Sequence, residues 1–102
     1  MTSSLRHLKI HPRVANDLEE VVNYYESEQV GLGGDFLRAF RKALRRIEAG
    51  PEVYRKVYGE NRRVMLPRFG NFAVIYTVNP DIIYIKAVAD LRRRPLYWGS
   101  RA

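Results

Sequence analysis

The chain has 102 residues, of which 46% are hydrophobic, and a formal net charge of +7. This length and composition predict one folded domain over residues 1–102 and exclude an intrinsically disordered chain. The chain has no cysteine, which excludes disulfides and thiolate metal sites. No apolar run reaches the roughly 20 residues that cross a bilayer, and residues 1–9 lack the apolar core of a signal peptide. We therefore expect a cytoplasmic protein without a membrane partner.

The positive charge is unevenly distributed along the chain. Residues 1–53 contain eight Lys or Arg and eight Asp or Glu, whereas residues 54–102 contain ten Lys or Arg and three Asp or Glu. The whole excess therefore lies in the C-terminal half, a pattern expected of a protein with an acidic or polyanionic partner. Solubility is the alternative explanation, although solubility does not require the charges to be segregated.

The N-terminal part of the chain predicts a strand and a helix. Apolar residues alternate over residues 5–10, which predicts a short strand. Pro12 suits the first turn of a helix, and the helical pattern that follows it runs to about Ser27. Glu19 and Glu20 lie on the polar side of this helix. Since no second acidic pair accompanies them, we interpret them as solvent-exposed and not as catalytic carboxylates.

A glycine-rich link leads into a second predicted helix. Gly31, Gly33 and Gly34 permit a sharp reversal, and no Gly-Lys-Ser/Thr follows them as it would in a phosphate-binding loop. We predict that the second helix starts near Asp35, a favourable N-cap residue, and ends at Ala49 before a Gly-Pro stop signal. The two helices then form a helical hairpin.

The remaining sequence predicts strands over residues 52–57, 62–66, 71–78 and 82–89. The short turns between them indicate antiparallel pairing. In the last strand we expect one face, Ile83, Ile85, Ala87 and Ala89, to lie under the helices, and the face with Lys86 to be partly open. The fold class is therefore α+β: an N-terminal strand, a helical hairpin, then three to four antiparallel strands, with the helices packed on one face of the sheet.

Cations and aromatic rings dominate the candidate binding residues. Arginine offers a rigid fork of donors to phosphate or carboxylate, and aromatic rings stack on bases or anchor protein interfaces. The candidate target-binding residues are Arg62, Arg63, Arg68, Lys86, Arg92, Arg93, Arg94, Tyr97 and Trp98. The structural alternatives are a snorkelling Lys86, a solvated arginine run at 92–94, and a hydrophobic clasp of the tail through Tyr97 and Trp98.

Metal and triad chemistry have no support in the sequence. His7 and His11 have no partner at metal-ligand spacing, so we interpret both as structural or solvent-facing. No serine lies in a nucleophile elbow. We predict neither a metal nor another cofactor.

Several short segments are together typical of one protein family. They are Ala15-x-Asp17-Leu18, Phe36 with Ala43-Leu44-x-x-Ile47, Pro51 with Tyr54, Arg62-Arg63, Phe69, Asn71-Phe72-Ala73-Val74-Ile75-Tyr76 and Arg92-Arg93-x-Pro95-x-Tyr97-Trp98-x-x-Arg101. In this order and spacing, over about residues 8–101, the chain resembles the RelE/ParE superfamily of toxins from bacterial type II toxin–antitoxin modules, which includes plasmid stabilisation proteins.

This resemblance implies a toxin that a tightly bound cognate antitoxin neutralises, and it allows two kinds of target. ParE-like members inhibit DNA gyrase without being nucleases, whereas RelE-like members cut mRNA on the ribosome. If the chain is RelE-like, the resemblance makes Arg63, Lys86, Arg92, Arg93 and Tyr97 the candidate catalytic residues. An inactive module that only binds its antitoxin is a third hypothesis.

The sequence departs from the RelE-like ribonuclease pattern at two places. The RelE-like strand usually reads Gly-Tyr-Arg-Leu-Val-Tyr, and Ala73 replaces the arginine that would contact the scissile phosphate. The preceding strand, Val64-Met65-Leu66, has no lysine. Because loss of a phosphate ligand costs orders of magnitude in rate, these departures favour the ParE-like side. Whether the protein is an enzyme stays open at this point.

Overall fold

The computed structural model of the chain describes residues 6–102, which form two helices and a five-stranded mixed sheet. The elements in chain order are β1 (His7–Ile10), α1 (Arg13–Glu28), α2 (Leu32–Ala49), β2 (Lys56–Tyr58), β3 (Asn61–Met65), β4 (Phe72–Val78) and β5 (Ile82–Asp90). The spatial order of the strands is β1-β5-β4-β3-β2. β1 pairs with β5 in parallel, and every other pair is antiparallel. The predicted α+β order is confirmed, with four strands after the hairpin.

Both helices pack on one face of this sheet, as predicted. Val14 of α1, Phe36 and Ile47 of α2 and Val74 of β4 are at most 1% exposed. The Phe36 ring meets the Phe69 ring edge-on, with centroids 5.1 Å apart. Full burial of each such side chain contributes roughly 1.5–3 kcal/mol, so this layer supplies much of the driving force for folding. Neither helix is both long enough and apolar enough to cross a membrane.

The second helix begins earlier than predicted, at Leu32 instead of after Asp35. Gly31 occupies the N-cap with a φ of 91°, a conformation that glycine adopts without strain. The Glu26 carboxylate, at the end of α1, accepts hydrogen bonds from the amides of Gly31 and Gly33 at 2.9 and 3.0 Å. A side chain from the other helix therefore satisfies the first amides of α2, and Asp35 is not needed as the cap.

The contact between the two helices depends on Gly33. A Cβ atom at this position would lie 2.8 Å from the carbonyl oxygen of Val22 in α1. We expect Gly33→Ala to lower the free energy of unfolding by about 1–3 kcal/mol, because the helices must separate. At Gly34 the nearest atoms belong to the flexible Arg38 side chain, at 3.7 Å. Gly34→Ala is therefore the control and should be neutral or stabilising by up to about 1 kcal/mol; equal losses in urea denaturation would contradict the prediction.

A β-bulge in β5 interrupts its regular pairing with β4. Ile85 pairs with Tyr76 and Ala87 pairs with Ile75, which leaves Lys86 without a partner on β4. Such an extra residue shifts the strand by one position and exchanges its two faces.

The bulge changes which residues of β5 face the helices. Ile83, Ile85 and Val88 belong to the core under the helices, whereas Ala87 and Ala89 lie in a second cluster on the opposite face. The predicted assignment of Ala87 and Ala89 to the helix side is therefore wrong. The sequence of this strand is apolar on both faces at this point, so alternation alone does not reveal the extra residue.

The strand predicted over residues 52–57 is reduced to β2, because its first part forms a turn. The Arg62 guanidinium donates through Nη1 to the carbonyls of Glu52 and Tyr54, at 3.1 and 2.6 Å. These carbonyls are thus satisfied by a side chain and do not need a neighbouring strand.

The hydroxyl of Tyr76 supports the same turn by donating to the carbonyl of Pro51 at 2.6 Å. Burial raises the pKa of Tyr76 to about 12. An unfolded chain releases this proton near pH 10, so the contribution of Tyr76 to stability is present below about pH 10 and is lost as the pH rises towards 12. We expect Tyr76→Phe to cost about 1 kcal/mol at neutral pH and to flatten the alkaline decline. Chemical denaturation at several pH values measures both effects; Tyr24→Phe, at an exposed side chain, should match the wild type at neutral pH.

Candidate functional site

The segment after β5, residues 91–101, folds back over the sheet face opposite the helices. Trp98 is 3% exposed and packs against Ile75, Ala87 and Ala89. Its ring also meets the Tyr58 ring edge-on, with centroids 6.1 Å apart. The hydrophobic clasp considered for the aromatic pair at 97 and 98 is therefore confirmed for Trp98.

A buried ion pair attaches the end of this tail to α1. Arg101 donates to both carboxylate oxygens of Asp17, at 2.6 and 2.9 Å, and the two side chains are 9% and 10% exposed. The hydrogen bond with Asp17 raises the pKa of Arg101. Asp17 also accepts the amide of Val88 at 3.0 Å, and Arg101 donates to the carbonyl of Lys86 at 3.1 Å. β1 pairs with β5 only as far as Ile85, so it does not reach the Lys86 carbonyl or the Val88 amide. The ion pair satisfies these two backbone groups instead.

Tyr97, next to Trp98, is in contact through both its hydroxyl and its ring. Its hydroxyl accepts a hydrogen bond from the amide of Asp90 at 2.9 Å, and the Arg93 guanidinium lies 3.8 Å from the centre of its ring. Burial raises the pKa of Tyr97, and the hydrogen bond from Asp90 offsets this only in part. A hydroxyl in this state is a poor proton donor or acceptor at neutral pH.

The first arginine of the run at 92–94 is neutralised within the tail. Arg92 donates to Asp90 through Nε and Nη2, at 3.0 and 3.2 Å, and its guanidinium lies over the Phe72 ring. Burial raises the pKa of Asp90, but the hydrogen bonds from Arg92 outweigh it and the net shift is downward. Arg92 therefore pairs within the start of the tail, and its side chain stays 57% exposed.

Three other cations line one small pocket on the open sheet face. Arg63 comes from β3, and Arg93 and Arg94 come from the tail, with Trp98 in the same wall. The pocket has a volume of about 120 Å³. Within residues 6–102, none of these three arginines forms an ion pair. This arginine pocket can donate to a phosphate or carboxylate group of a partner.

The other predicted cations do not join the arginine pocket. Arg62 faces the helix side and binds the loop carbonyls described above, because successive residues of β3 point to opposite faces. Arg68 pairs with Asp35 of α2 at 3.3 Å. Lys86 lies at the bulge of β5. The prediction that the C-terminal cations form one shared surface is therefore wrong.

A second basic surface, on α2, was missed by the charge count along the sequence. We call it the α2 groove; its cations are Arg38, Arg41, Lys42, Arg45, Arg46 and Arg68. The acidic residues of α1 cancelled these charges when residues 1–53 were counted together. The spacing of three or four residues between the α2 cations was the signal that could have found them.

Neither histidine forms a metal site. His7 is exposed, and His11 accepts the amide of Arg13 through Nδ1 at 3.0 Å. Residues 6–102 contain no group of three His, Asp or Glu that could hold a metal ion.

A family model described as the ParE toxin of the type II toxin–antitoxin system parDE matches residues 8–95. The chain belongs to the ParE toxin family. The match contains both helices, strands β2 to β5 and all of β1 except His7, and it ends before Tyr97, Trp98 and Arg101. The predicted resemblance to the ParE-like side of the superfamily is therefore confirmed.

A solved structure described as a chromosomal ParDE TA system from P. aeruginosa has the same fold as this ParE family chain. The two chains are 18% identical and align with a TM-score of 0.71, over 86% of this chain and 97% of that chain. A search of curated proteins found no match.

Position 73 is where this ParE family member lacks the RelE-like arginine. Ala73 is fully buried in the centre of the sheet, where it pairs with Met65 on one side and Ala89 on the other. Position 73 therefore supplies a small buried side chain and no cation.

Proposed function

We propose that this ParE family chain is a toxin that inhibits DNA gyrase by binding to it in the cytoplasm. The observation that carries the proposal is that residues which a RelE-like ribonuclease would use for cleavage are either engaged elsewhere or replaced. Arg92 is paired with Asp90, the Tyr97 hydroxyl is engaged by a backbone amide, and Ala73 replaces the central arginine. Because Arg92 and the Tyr97 hydroxyl are already engaged and the central arginine is absent, binding is a better-supported activity than cleavage.

The arginine pocket is the proposed contact surface for gyrase. Its three guanidiniums, from Arg63, Arg93 and Arg94, form no ion pair within residues 6–102, and the one carboxylate in the lining, Asp90, is paired with Arg92. The buried Trp98 fixes the tail that carries two of the three arginines. Each guanidinium offers a planar fork of donors that matches a carboxylate or phosphate.

The test is a supercoiling assay with purified gyrase. We expect the wild-type protein to inhibit supercoiling and Arg63→Ala/Arg94→Ala to need at least about tenfold more protein, because two charge-assisted contacts are lost. Lys9→Ala/Arg13→Ala removes the same charge from exposed positions outside the arginine pocket and is the control. A wild-type protein that leaves gyrase unaffected would exclude the proposed target, and equal losses in both double variants would exclude the pocket.

We also propose that a cognate antitoxin neutralises this toxin by covering part of the sheet face or the groove of the helical hairpin. Members of a parDE system act as a pair, and a partner segment that folds on binding can wrap such surfaces. Co-expression with the adjacent reading frame should yield a stable complex and restore supercoiling. A toxin that stays fully active in the presence of that protein would contradict this part of the proposal.

Ribosome-dependent cleavage of mRNA is the second candidate function. The observation in its favour is that Arg93 lies on the Tyr97 ring beside Arg63, so three of the five RelE-like candidates meet at one pocket. Primer extension on translated mRNA after induction distinguishes the two functions. Cuts within codons would favour the ribonuclease, and their absence together with gyrase inhibition would exclude it.

A further inference from the structure

We propose that the α2 groove binds the phosphate backbone of duplex DNA. This inference goes beyond the proposed function, because the groove lies on the helix side of the sheet and the arginine pocket lies on the other side. The partner is a nucleic acid and not gyrase. The evidence is the position of the groove cations, their ion pairs and the residues around them.

The cations of α2 form a continuous row along its outer side. Position 38, positions 41 and 42, and positions 45 and 46 fall on successive turns, so the row extends over about 12 Å of helix. The buried stripe Phe36, Phe40, Ala43 and Ile47 occupies the inner side of α2, which leaves the row facing solvent. Arg68, in the loop after β3, lies on the opposite wall of the groove, which has a volume of about 560 Å³.

Most of these charges have no partner within the described chain. Asp35 is the one carboxylate among the lining residues of the groove, and it is already bound by Arg38 and Arg68. The hydrogen bond from Arg38 is the largest of the causes that hold the pKa of Asp35 below its usual value. The remaining four cations, Arg41, Lys42, Arg45 and Arg46, form no ion pair within residues 6–102. The groove therefore carries an uncompensated positive charge.

The lining favours a phosphate backbone over an acidic peptide. Its uncharged residues are Ala39, Pro67 and Phe69, and Phe69 is only 5% exposed. A peptide helix in a groove depends on apolar side chains that enter apolar pockets, and this lining provides almost none. Non-specific DNA binding needs only cations at suitable spacing, since duplex DNA carries one charge for roughly every 1.7 Å of its axis.

Fluorescence anisotropy with a short labelled duplex, without gyrase, tests this proposal. We expect Arg41→Ala/Arg45→Ala to weaken binding at least about tenfold and to reduce the slope of log affinity against log salt by about two, because two phosphate contacts are lost. Lys9→Ala/Arg13→Ala removes the same charge from positions outside the groove and should change the affinity by less than about threefold. Lys42→Ala/Arg46→Ala is a second groove variant that should repeat the loss, and circular dichroism verifies that each variant is folded.

Three results would overturn the proposal. Equal losses in the groove and control variants would show that only the net charge attracts DNA, and unchanged binding in both groove variants would exclude the groove. Displacement of the duplex by a polyglutamate peptide at a lower concentration of charge would assign the groove to an acidic polypeptide. Because gyrase is absent from this assay, the outcome is independent of whether the chain inhibits gyrase.

Discussion

Asp17→Ala is expected to lower the free energy of unfolding by about 3–5 kcal/mol, because it leaves the Arg101 guanidinium buried without a counter-charge. The two side chains are 9–10% exposed, so water cannot replace the lost carboxylate. The change also removes the acceptor of the Val88 amide at the edge of β5. Urea denaturation at neutral pH measures the loss.

The exposed pair of Lys56 and Glu60 provides the control for this prediction. Its atoms are 2.9 Å apart, but its side chains are 45% and 77% exposed. Lys56→Ala should therefore cost no more than about 1 kcal/mol. A double-mutant cycle of Asp17→Ala and Arg101→Ala isolates the interaction between the two side chains. A cost for Asp17→Ala no larger than that of the exposed control would contradict the prediction.

Trp98→Ala is expected to cost about 3–5 kcal/mol, because it removes the largest side chain from the second core of the sheet. Ile75, Ala87 and Ala89 would lose the cover that the tail provides. The tail also carries Arg93 and Arg94, so the change should weaken the proposed inhibition of gyrase together with stability. Denaturation combined with hydrogen exchange over residues 91–101 measures both the energy and the local opening.

Two further variants sharpen this test. Leu91→Ala removes an apolar side chain from the same tail at a position that is 38% exposed, and it should cost less than about 1 kcal/mol. Trp98→Phe retains part of the ring and should cost less than Trp98→Ala. If Trp98→Ala and Leu91→Ala had the same effect on exchange and stability, the tail would not be anchored by Trp98.

The arginine pocket was only partly predictable from the sequence. Arg63, Arg93, Arg94, Tyr97 and Trp98 were all predicted, because consecutive cations and aromatic residues are visible along the chain. Arg62, Arg68, Lys86 and Arg92 were predicted with them but lie outside this pocket. Arg62 faces the other side of β3, and Arg68 and Arg92 pair with Asp35 and Asp90.

Local regularities of the sequence determined most of the fold. The helical period predicted both helices, and the apolar runs and short turns predicted the antiparallel strands. These features depend on residues close together in the chain, and patterns of that length can be interpreted without knowing what packs against them.

The tertiary structure alone decided the features that join distant residues. Glu26 displaces the start of α2, Arg62 converts the predicted beginning of β2 into a turn, and the bulge at Lys86 exchanges the faces of β5. Asp17 and Arg101 are 84 residues apart in sequence, and neither is marked by its neighbours as half of a buried pair. In each case the partner lies outside the element concerned and comes within reach only after the layers have packed. The contact forms because an unsatisfied backbone group or a buried charge needs a partner.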